Sequence, residues 1–411
     1  MKFKEIDMNN SKKIEVLIHP FNADKQIGAT LEYNSNEIIL RYIRKAEPFL
    51  DFDEKDKIDE VYVLTGEGEY IILKEGSTKK IHFHSEGVAS YECIFNYMLV
   101  ERNKVEDFRE DMLFNKFEIN CTYFKDILTK TPFKVDRIDE TNEFNRQITG
   151  NLEIVKKAEI DNPKLSIYEK IASNLSRNKN GYDITFSSIP YLKFNFEDGK
   201  KFKNLIPEIV RIRNTFSFLM DLKIKVLNLY VYSVQGQCYK IFWSMEKSVN
   251  VSLKSQQKLI DCRKLLDGKF QTIFSSFYTN NNLEDIFESY VNNMYKPIYV
   301  EDYLLSQIAM IEGLDTRFRD NDRSVSLKIR LEKFLNQFSE VEKKDFIELI
   351  NGKYTQEDLI KLLNGFRNYH FHLYETSRKP YIKLDLYELA QVFRELIRKR
   401  LLSIITNDEE I

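Results

Sequence analysis

The sequence predicts an α+β protein, with a β-rich N-terminal region followed by an all-helical C-terminal domain. Before about residue 280, apolar residues alternate or cluster in short runs rich in Ile, Val, Tyr and Phe, which is typical of strands. Beyond it, apolar residues recur three and four positions apart, which is typical of helices. The chain has 411 residues, too many for one ordinary core, so we expect more than one domain.

Short apolar runs fill the chain as far as residue 121 and predict strands. They are KKIEVLI, GATLEYN, EIILRYI, EVYVLTG, EYIILKEG and VASYECIFNYMLVE. Residues 65–68, TGEG, separate two of these runs and predict a hairpin turn, where glycine supplies a positive φ. We place the β-rich region at residues 1–280, with a division into subdomains of about 1–130 and 131–280.

The second subdomain mixes both types of element. We expect a short helix at residues 165–174 and a strand at 191–196. Residues 201–222 carry apolar side chains at helical spacing and predict a longer helix. Two strands follow, IKVLNLYVYS and CYKIFWS, so antiparallel strands are expected to pack on at least one helix.

Residues 281–411 predict a bundle of helices. The expected helices are 283–293, 300–318, 324–338, 355–373 and 385–406. Ser339 stands three positions before Glu342, and Thr355 three before Asp358, which is the spacing of helix-capping pairs. Pro380 falls between the last two helices, where the chain has to turn.

Charge and cysteine content restrict the class of protein. The 62 basic and 64 acidic side chains give a formal net charge of -2, so any nucleic-acid site has to be a local patch. The four cysteines form no Cys-x-x-Cys pair and are expected to be reduced. Because neither a signal peptide nor an 18-residue apolar span is evident, we expect a cytoplasmic protein without membrane contact.

Three of the five histidines offer little chemistry. His82 and His84 alternate in a predicted strand and so share one face, where they are candidates for a metal. No third ligand is evident beside them, and two polar residues on a solvated strand is the simpler interpretation. His19 precedes Pro20 and is interpreted as a turn residue.

Arg367, Asn368 and His372 are the strongest candidates for chemistry. On a helix Asn368 and His372 lie about 40° apart, and Arg367 lies about 140° from His372 but has a long reach. A guanidinium grips phosphate, and an imidazole moves protons at neutral pH. Metal-free RNA cleavage requires both roles. The alternative is that these residues pair and cap near a helix end, which the spacing alone leaves open.

These residues carry a resemblance to a known family. Arg367-Asn368 with His372 resembles the R-N-x-x-x-H signature of HEPN-domain ribonucleases. The predicted helix that contains Glu312 resembles the helix that places an acidic residue near the site in those proteins. The order of parts, a β-rich region before an HEPN-like domain, is most similar to the ApeA family of bacterial anti-phage HEPN proteins.

The resemblance implies a metal-independent endoribonuclease that acts in anti-phage defence by abortive infection, without a cofactor. It implies that Arg367 binds and neutralises the scissile phosphate and that His372 is the general base or acid. It also implies that Asn368 orients this pair through hydrogen bonds. Glu312 is implied as a supporting acid, and we treat His370 as a neighbour of the site. The implied partners are an RNA substrate, a second copy of the chain bound through the HEPN-like domain, and a phage-derived trigger. Because a constantly active enzyme would kill its host, the two-part layout leads us to expect that the β-rich region restrains the enzyme or senses infection.

A non-catalytic HEPN-type dimerisation or RNA-binding scaffold protein is the alternative function. The basic residues of the last predicted helix recur at helical spacing and are candidates for contact with an RNA backbone. These residues are Arg394, Arg398, Lys399 and Arg400. Because acidic residues outnumber basic ones in residues 281–411, a solvated helix face is the favoured interpretation.

Overall fold

The α+β prediction is confirmed by a computed structural model of the chain. It describes residues 12–18, 26–34, 37–45, 57–84, 87–101, 112–128, 133–137, 146–150, 154–177, 184–244, 250–296, 298–318, 325–372 and 381–407. Within these ranges, the side chains of residues 133–137, 146–150, 173–177, 184–187 and 371–372 are not described. The chain forms two compact units, residues 1–264 and 265–411.

The first six strands form a closed ring. They are β1 (Lys12–Ile18), β2 (Ile27–Tyr33), β3 (Ile38–Lys45), β4 (Lys57–Thr65), β5 (Tyr70–Phe83) and β6 (Val88–Glu101). They pair in the order β6-β3-β2-β1-β4-β5, and β5 pairs again with β6. The interior of the ring is an apolar core that includes Leu31, Tyr33 and Leu73. Gly68 has a φ of 82° in the tight turn between β4 and β5, as predicted.

An open sheet continues from β6, where β14 pairs with residues 97–101. Its strands are β7 (Leu113–Cys121), β10 (Val155–Ile160), β11 (Leu165–Arg177), β12 (Ile184–Lys201), β13 (Val226–Ser233) and β14 (Cys238–Trp243), while β8 (Phe133–Arg137) and β9 (Arg146–Gly150) pair only with each other. The order from β6 is β14-β13-β7-β12-β11-β10. The pairs between adjacent strands of this sheet are antiparallel.

Two helices accompany this sheet. The short α1 (Phe124–Ile127) follows β7, and α2 (Phe202–Met220) follows β12 directly. The predicted helix at residues 201–222 is therefore confirmed. The α2 helix contacts β7 and β12 and buries Leu205, Ile209 and Phe216, and the ring of Phe216 lies 4.6 Å from that of Phe124 in α1.

The short helix predicted at residues 165–174 is wrong, because these residues belong to β11. Leu165 and Ile167 are buried, while Ser166, Tyr168 and Lys170 on the opposite face are half-buried, which is the period of a strand. Pairing with β12 along the whole of β11 outweighs the local helical preference of the sequence. The predicted strand at 191–196 lies inside β12.

The other elements of the described chain are helices. They are α3 (Gln256–Thr279), α4 (Glu284–Tyr295), α5 (Val300–Phe318), α6 (Leu327–Leu335), α7 (Lys344–Ile350), α8 (Gln356–His372) and α9 (Leu386–Thr406). The five predicted helices are all present, and α3 and α7 were not predicted. The backbone of α3 kinks at Lys269, where φ is -132°. No helix among the described residues combines the length and apolar character needed to cross a bilayer.

The predicted capping pairs of the helical unit are present. The backbone N–H of Glu342 donates to Ser339 Oγ at 3.3 Å, and the Glu342 carboxylate accepts from the Ser339 N–H at 2.7 Å. The N–H of Asp358 donates to Thr355 Oγ1 at 3.1 Å, directly before α8. A further cap is Asp385, whose side chain accepts the first free N–H groups of α9. Pro380 lies outside the described residues.

Candidate functional site

The predicted catalytic residues lie at the C-terminal end of α8. This helix is anchored by Leu359, Leu363 and Phe366, which are at most 1% exposed. Arg367 follows Phe366 directly and is half-buried, so the packing of its neighbour limits the positions its backbone can take. The site therefore stands on a helix that is fixed by the core of the unit.

Helix α5 brings an acid to Arg367. Ile308 and Ile311 of α5 are fully buried, and Glu312 follows at the edge of this apolar stripe. Arg367 Nη2 lies 3.4 Å from Glu312 Oε2, and the two side chains are 28% and 33% exposed. An ion pair of this length and exposure adds only about 0–1 kcal/mol to stability. Its main effect is to orient a guanidinium that solvent still reaches.

Asn368 is the second described contact of the guanidinium. Its Oδ1 accepts from Arg367 Nη1 at 3.5 Å. These two contacts of Arg367 are at the long end of hydrogen-bond distances. The structure thus brings together Arg367, Asn368 and Glu312, three of the predicted site residues.

His372 is the last residue of α8, and its side chain lies outside the described part of the chain. Because the backbone is helical from Asn368 to His372, the two residues start from the same side of α8, about 40° apart. The distance from the His372 imidazole to the Arg367 guanidinium therefore stays a prediction.

His370 packs against its own helix. Its ring lies 4.5 Å from the ring of Phe366 and 5.3 Å from that of Tyr369. The Nε2 atom of His370 is buried and has no hydrogen-bond partner among the described residues. His370 is thus an aromatic neighbour of the site, on a different side of α8 from His372.

A buried ion pair lies close to Glu312 along α5, and the sequence does not predict it. Asp315 lies one helical turn after Glu312, and its Oδ2 accepts from Arg330 Nη1 at 2.7 Å. Both side chains are only 2% exposed, and Arg330 Nε also donates to the Val325 carbonyl at 3.2 Å. The pair joins α5 to α6. In the sequence, Asp315 is indistinguishable from an acid at the solvated edge of an amphipathic helix.

The basic residues of α9 make contacts within the helical unit. The Arg394 guanidinium lies 4.8 Å from the centre of the Tyr290 ring. Lys399 Nζ donates to the Glu342 carbonyl at 2.8 Å, and Arg400 Nη1 lies 3.5 Å from Ser403 Oγ. These contacts restrict the side chains that were candidates for following an RNA backbone.

The histidine pair of the β-rich region does not assemble a metal site among the described residues. His82 and His84 are both exposed, and His84 Nε2 lies 3.1 Å from Ser90 Oγ. In the described part of the chain, no group of three or more His, Cys, Asp and Glu residues is placed to hold a metal ion. His19 lies outside this part.

His82 also lines a shallow pocket of about 360 Å³ on the closed ring. Arg41 and Glu92 line the same pocket, where Arg41 Nε donates to Glu92 Oε2 at 2.8 Å. This ion pair lowers the pKa of Glu92 from its ordinary value, chiefly through the hydrogen bond from Arg41. Arg41 also pairs with Glu32, so its charge is already shared between two carboxylates.

Comparison with known proteins identifies the family. A family model described as ApeA N-terminal domain 1 matches residues 15–277, which is more than half of the chain. The match covers the closed ring, the open sheet and most of α3, and it ends before the helices that carry Glu312 and Arg367. No curated protein and no solved structure matches the chain. The chain therefore belongs to the ApeA family of anti-phage proteins.

Proposed function

We propose that this chain is a metal-independent endoribonuclease of anti-phage defence, which cleaves RNA by attack of a 2'-hydroxyl. The observation that supports this most directly is the contact of Arg367 with Glu312 and Asn368, one helical turn before His372. A cation held between an acid and an amide, with a histidine later on the same helix, is a set that phosphodiester chemistry uses.

The proposed reaction divides the chemistry between His372 and Arg367. The 2'-oxygen of one nucleotide loses its proton to a base and forms a bond with the adjacent phosphorus. The bond from phosphorus to the 5'-oxygen of the next nucleotide then breaks, and that oxygen takes up a proton. His372 serves as the base or the acid, while Arg367 stabilises the additional negative charge on the phosphate oxygens. The products are a 2',3'-cyclic phosphate and a 5'-hydroxyl.

Glu312 and Asn368 position Arg367 for this role. The 3.4 Å contact with Glu312 orients the guanidinium. A phosphate competes well for the planar, two-pronged donor of an arginine, so substrate is expected to displace the carboxylate partly. Asn368 restricts the rotation of the guanidinium from the other side.

A second copy of the chain is expected to complete the site. A twofold interface between helical units would bring two sets of Arg367 and His372 together, so that each chain supplies half of a shared site. An RNase of this kind has to be held inactive before infection. We assign that restraint, or the sensing of a phage-derived trigger, to the β-rich region.

A non-catalytic dimerisation or RNA-binding scaffold is the second candidate function. The observation behind this candidate is the packing of His370 on Phe366 and Tyr369. Such ring contacts also occur at helix ends that carry no catalytic residue. In that case Arg367 and Glu312 would be a structural ion pair.

The two candidates separate in a cleavage experiment. Wild-type, His372→Ala and Lys361→Ala proteins are incubated with total RNA in EDTA. Lys361 is the control, because it is exposed on α8 and pairs with Glu357 and Asp358 of its own helix. The nuclease proposal expects cleavage by wild type and Lys361→Ala and none by His372→Ala. Equal activity of all three proteins would remove His372 from the mechanism.

A further inference from the structure

One face of the open sheet carries lysines and tyrosines from five adjacent strands. We call it the lysine–tyrosine face. Its members are Lys116 and Glu118 of β7, Tyr168 and Lys170 of β11, Tyr191 and Lys193 of β12, Tyr230 and Tyr232 of β13, and Lys240 of β14. Most of these side chains are half-buried, and Glu118 and Tyr191 are buried.

The strand register aligns these residues across the sheet. Tyr168 is paired with Lys193, Lys193 with Glu118, Glu118 with Tyr230, and Tyr230 with Lys240. Neighbouring strands lie about 4.8 Å apart, so this row extends for about 19 Å. The residues between them in sequence point the other way: they include Phe117, Phe194, Leu229 and Val231, all of which are buried.

Contacts between the side chains confirm that they share one face. Lys170 Nζ lies 2.8 Å from Glu118 Oε1, although β12 runs between their strands. The rings of Tyr191 and Tyr230 lie 5.9 Å apart across β7. Tyr232 also hydrogen-bonds to Glu118, and burial together with this carboxylate raises the pKa of its phenol.

The face has an excess of positive charge. Glu118, its acidic member, is already paired with Lys170. Lys116 and Lys193 form no ion pair with any residue in the described part of the chain, although both are half-buried. In a protein with a formal net charge of -2, four lysines around one neutralised acid make a local cationic surface.

We propose that the lysine–tyrosine face binds single-stranded nucleic acid. Lysine ammonium groups neutralise phosphates, and tyrosine rings between them provide surfaces on which unpaired bases stack. A duplex would offer its phosphates but not its bases to the rings. An acidic polypeptide would satisfy the lysines and leave the tyrosines without an equivalent partner. RNA and DNA strands share the required chemistry, so the experiment has to distinguish them.

Binding is measured by fluorescence anisotropy with labelled 20-nucleotide oligo(U) and oligo(dT). The full chain carries His372→Ala, so that RNA remains intact. Lys116→Gln combined with Lys193→Gln is expected to weaken binding about tenfold or more. The slope of log affinity against log salt should become shallower by about 1.4, since each phosphate contact to a single strand contributes about 0.7.

A matched control has the same change in charge elsewhere. Lys203→Gln combined with Lys264→Gln removes two exposed lysines of the first unit, on α2 and α3, and should leave both the affinity and the slope unchanged. Tyr168→Leu should weaken binding roughly tenfold without changing the salt slope, because it removes stacking and no charge. Thermal unfolding of each variant verifies that it is folded.

Three results would overturn the proposal. They are absence of oligonucleotide binding by the parent chain, equal loss in the two double variants, and displacement of the oligonucleotide by polyglutamate at the same charge concentration. Preference for oligo(U) over oligo(dT) would identify RNA as the ligand, and equal affinity would support the shared chemistry as proposed. The binding experiment measures no cleavage, so absence of binding would leave the nuclease proposal intact. Absence of cleavage activity would likewise leave the binding proposal intact.

Discussion

Arg367 Nη2 lies 3.4 Å from Glu312 Oε2, and this contact joins α8 to α5 across 55 positions of the sequence. Neither residue is buried, and the helices that carry them are fixed by separate sets of core residues. The contact is therefore a consequence of helix packing and not its cause. This arrangement allows the charge of Arg367 to be changed without loss of the fold.

Substitution of Arg367 should reduce catalysis and leave stability nearly unchanged. We expect Arg367→Ala to lower the single-turnover rate of RNA cleavage by about 100-fold or more, as for removal of a donor to a transition state. Arg367→Lys should not restore the rate, because an ammonium is a point charge without the planar fork. Lys361→Ala is the control on the same helix. Wild-type rates in Arg367→Ala would contradict the role given to this residue.

Breaking the buried pair of Asp315 and Arg330 should strongly destabilise the helical unit. Arg330→Met leaves Asp315 buried without its cation, and we expect a loss of about 3–5 kcal/mol in the free energy of unfolding. Replacing both residues, with Asp315→Leu and Arg330→Met, should recover most of this loss. Urea unfolding followed by helical circular dichroism measures each value.

The exposed pair of Lys361 and Glu357 is the control for this experiment. Both side chains are more than half exposed, so Lys361→Ala should produce no measurable change in the urea midpoint. A loss for Arg330→Met no larger than that for Lys361→Ala would mean that the buried pair does not hold α5 on α6.

Glu101 should make the first unit less stable as pH rises. It is 7% exposed at the end of β6, where burial raises its pKa to about 7. An unfolded chain has a glutamate pKa near 4.3, so the folded state binds this proton more tightly. Its stabilising contribution is complete below about pH 4.3 and is lost as pH rises through about 7. Glu101→Gln should remove this dependence and be more stable than wild type at pH 8 by about 3 kcal/mol. Parallel curves of unfolding free energy against pH for the two proteins would contradict the shift.

The cap of α9 should contribute measurably to the helical unit. Asp385 Oδ1 accepts from the N–H groups of Tyr387 and Glu388 at 2.8 and 3.0 Å. Asp385→Ala should cost about 1 kcal/mol of unfolding free energy, and Asp385→Ser should cost less because serine also caps. Thermal unfolding of the three proteins tests this, and an equal loss in both variants would point to charge instead of capping.

Much of the fold is encoded locally, which is why the sequence predicts it. The apolar stripes of α5 and α9 repeat with the period of a helix, and the runs of β1 to β6 alternate or cluster as strands do. The error at β11 has a different origin, since LSIYEKIAS also has helical character and only pairing with β12 decides its conformation. Helix α3 was missed because charged residues and the kink at Lys269 interrupt its apolar pattern.

The candidate site likewise combines features that local spacing encodes with features that depend on long-range packing. Asn368 and His372 share a side of α8 because of their spacing, which the sequence contains. The contact of Arg367 with Glu312, and the pair of Asp315 with Arg330, depend on how helices pack together. The resemblance to HEPN ribonucleases suggests the contact of Arg367 with Glu312. The spacing of residues along the sequence predicts neither that contact nor the pair of Asp315 with Arg330. The register that assembles the lysine–tyrosine face is likewise a property of long-range strand pairing.

The most direct test of the proposed reaction examines the ends of the cleaved RNA. A defined RNA is cut in EDTA by the wild-type chain, and the same RNA carries a single 2'-deoxy nucleotide at the mapped position in a second reaction. We predict 2',3'-cyclic phosphate and 5'-hydroxyl ends from the first RNA and no cleavage at that position in the second. Ends bearing a 3'-hydroxyl and a 5'-phosphate, or undiminished cleavage of the 2'-deoxy substrate, would contradict attack by the 2'-hydroxyl.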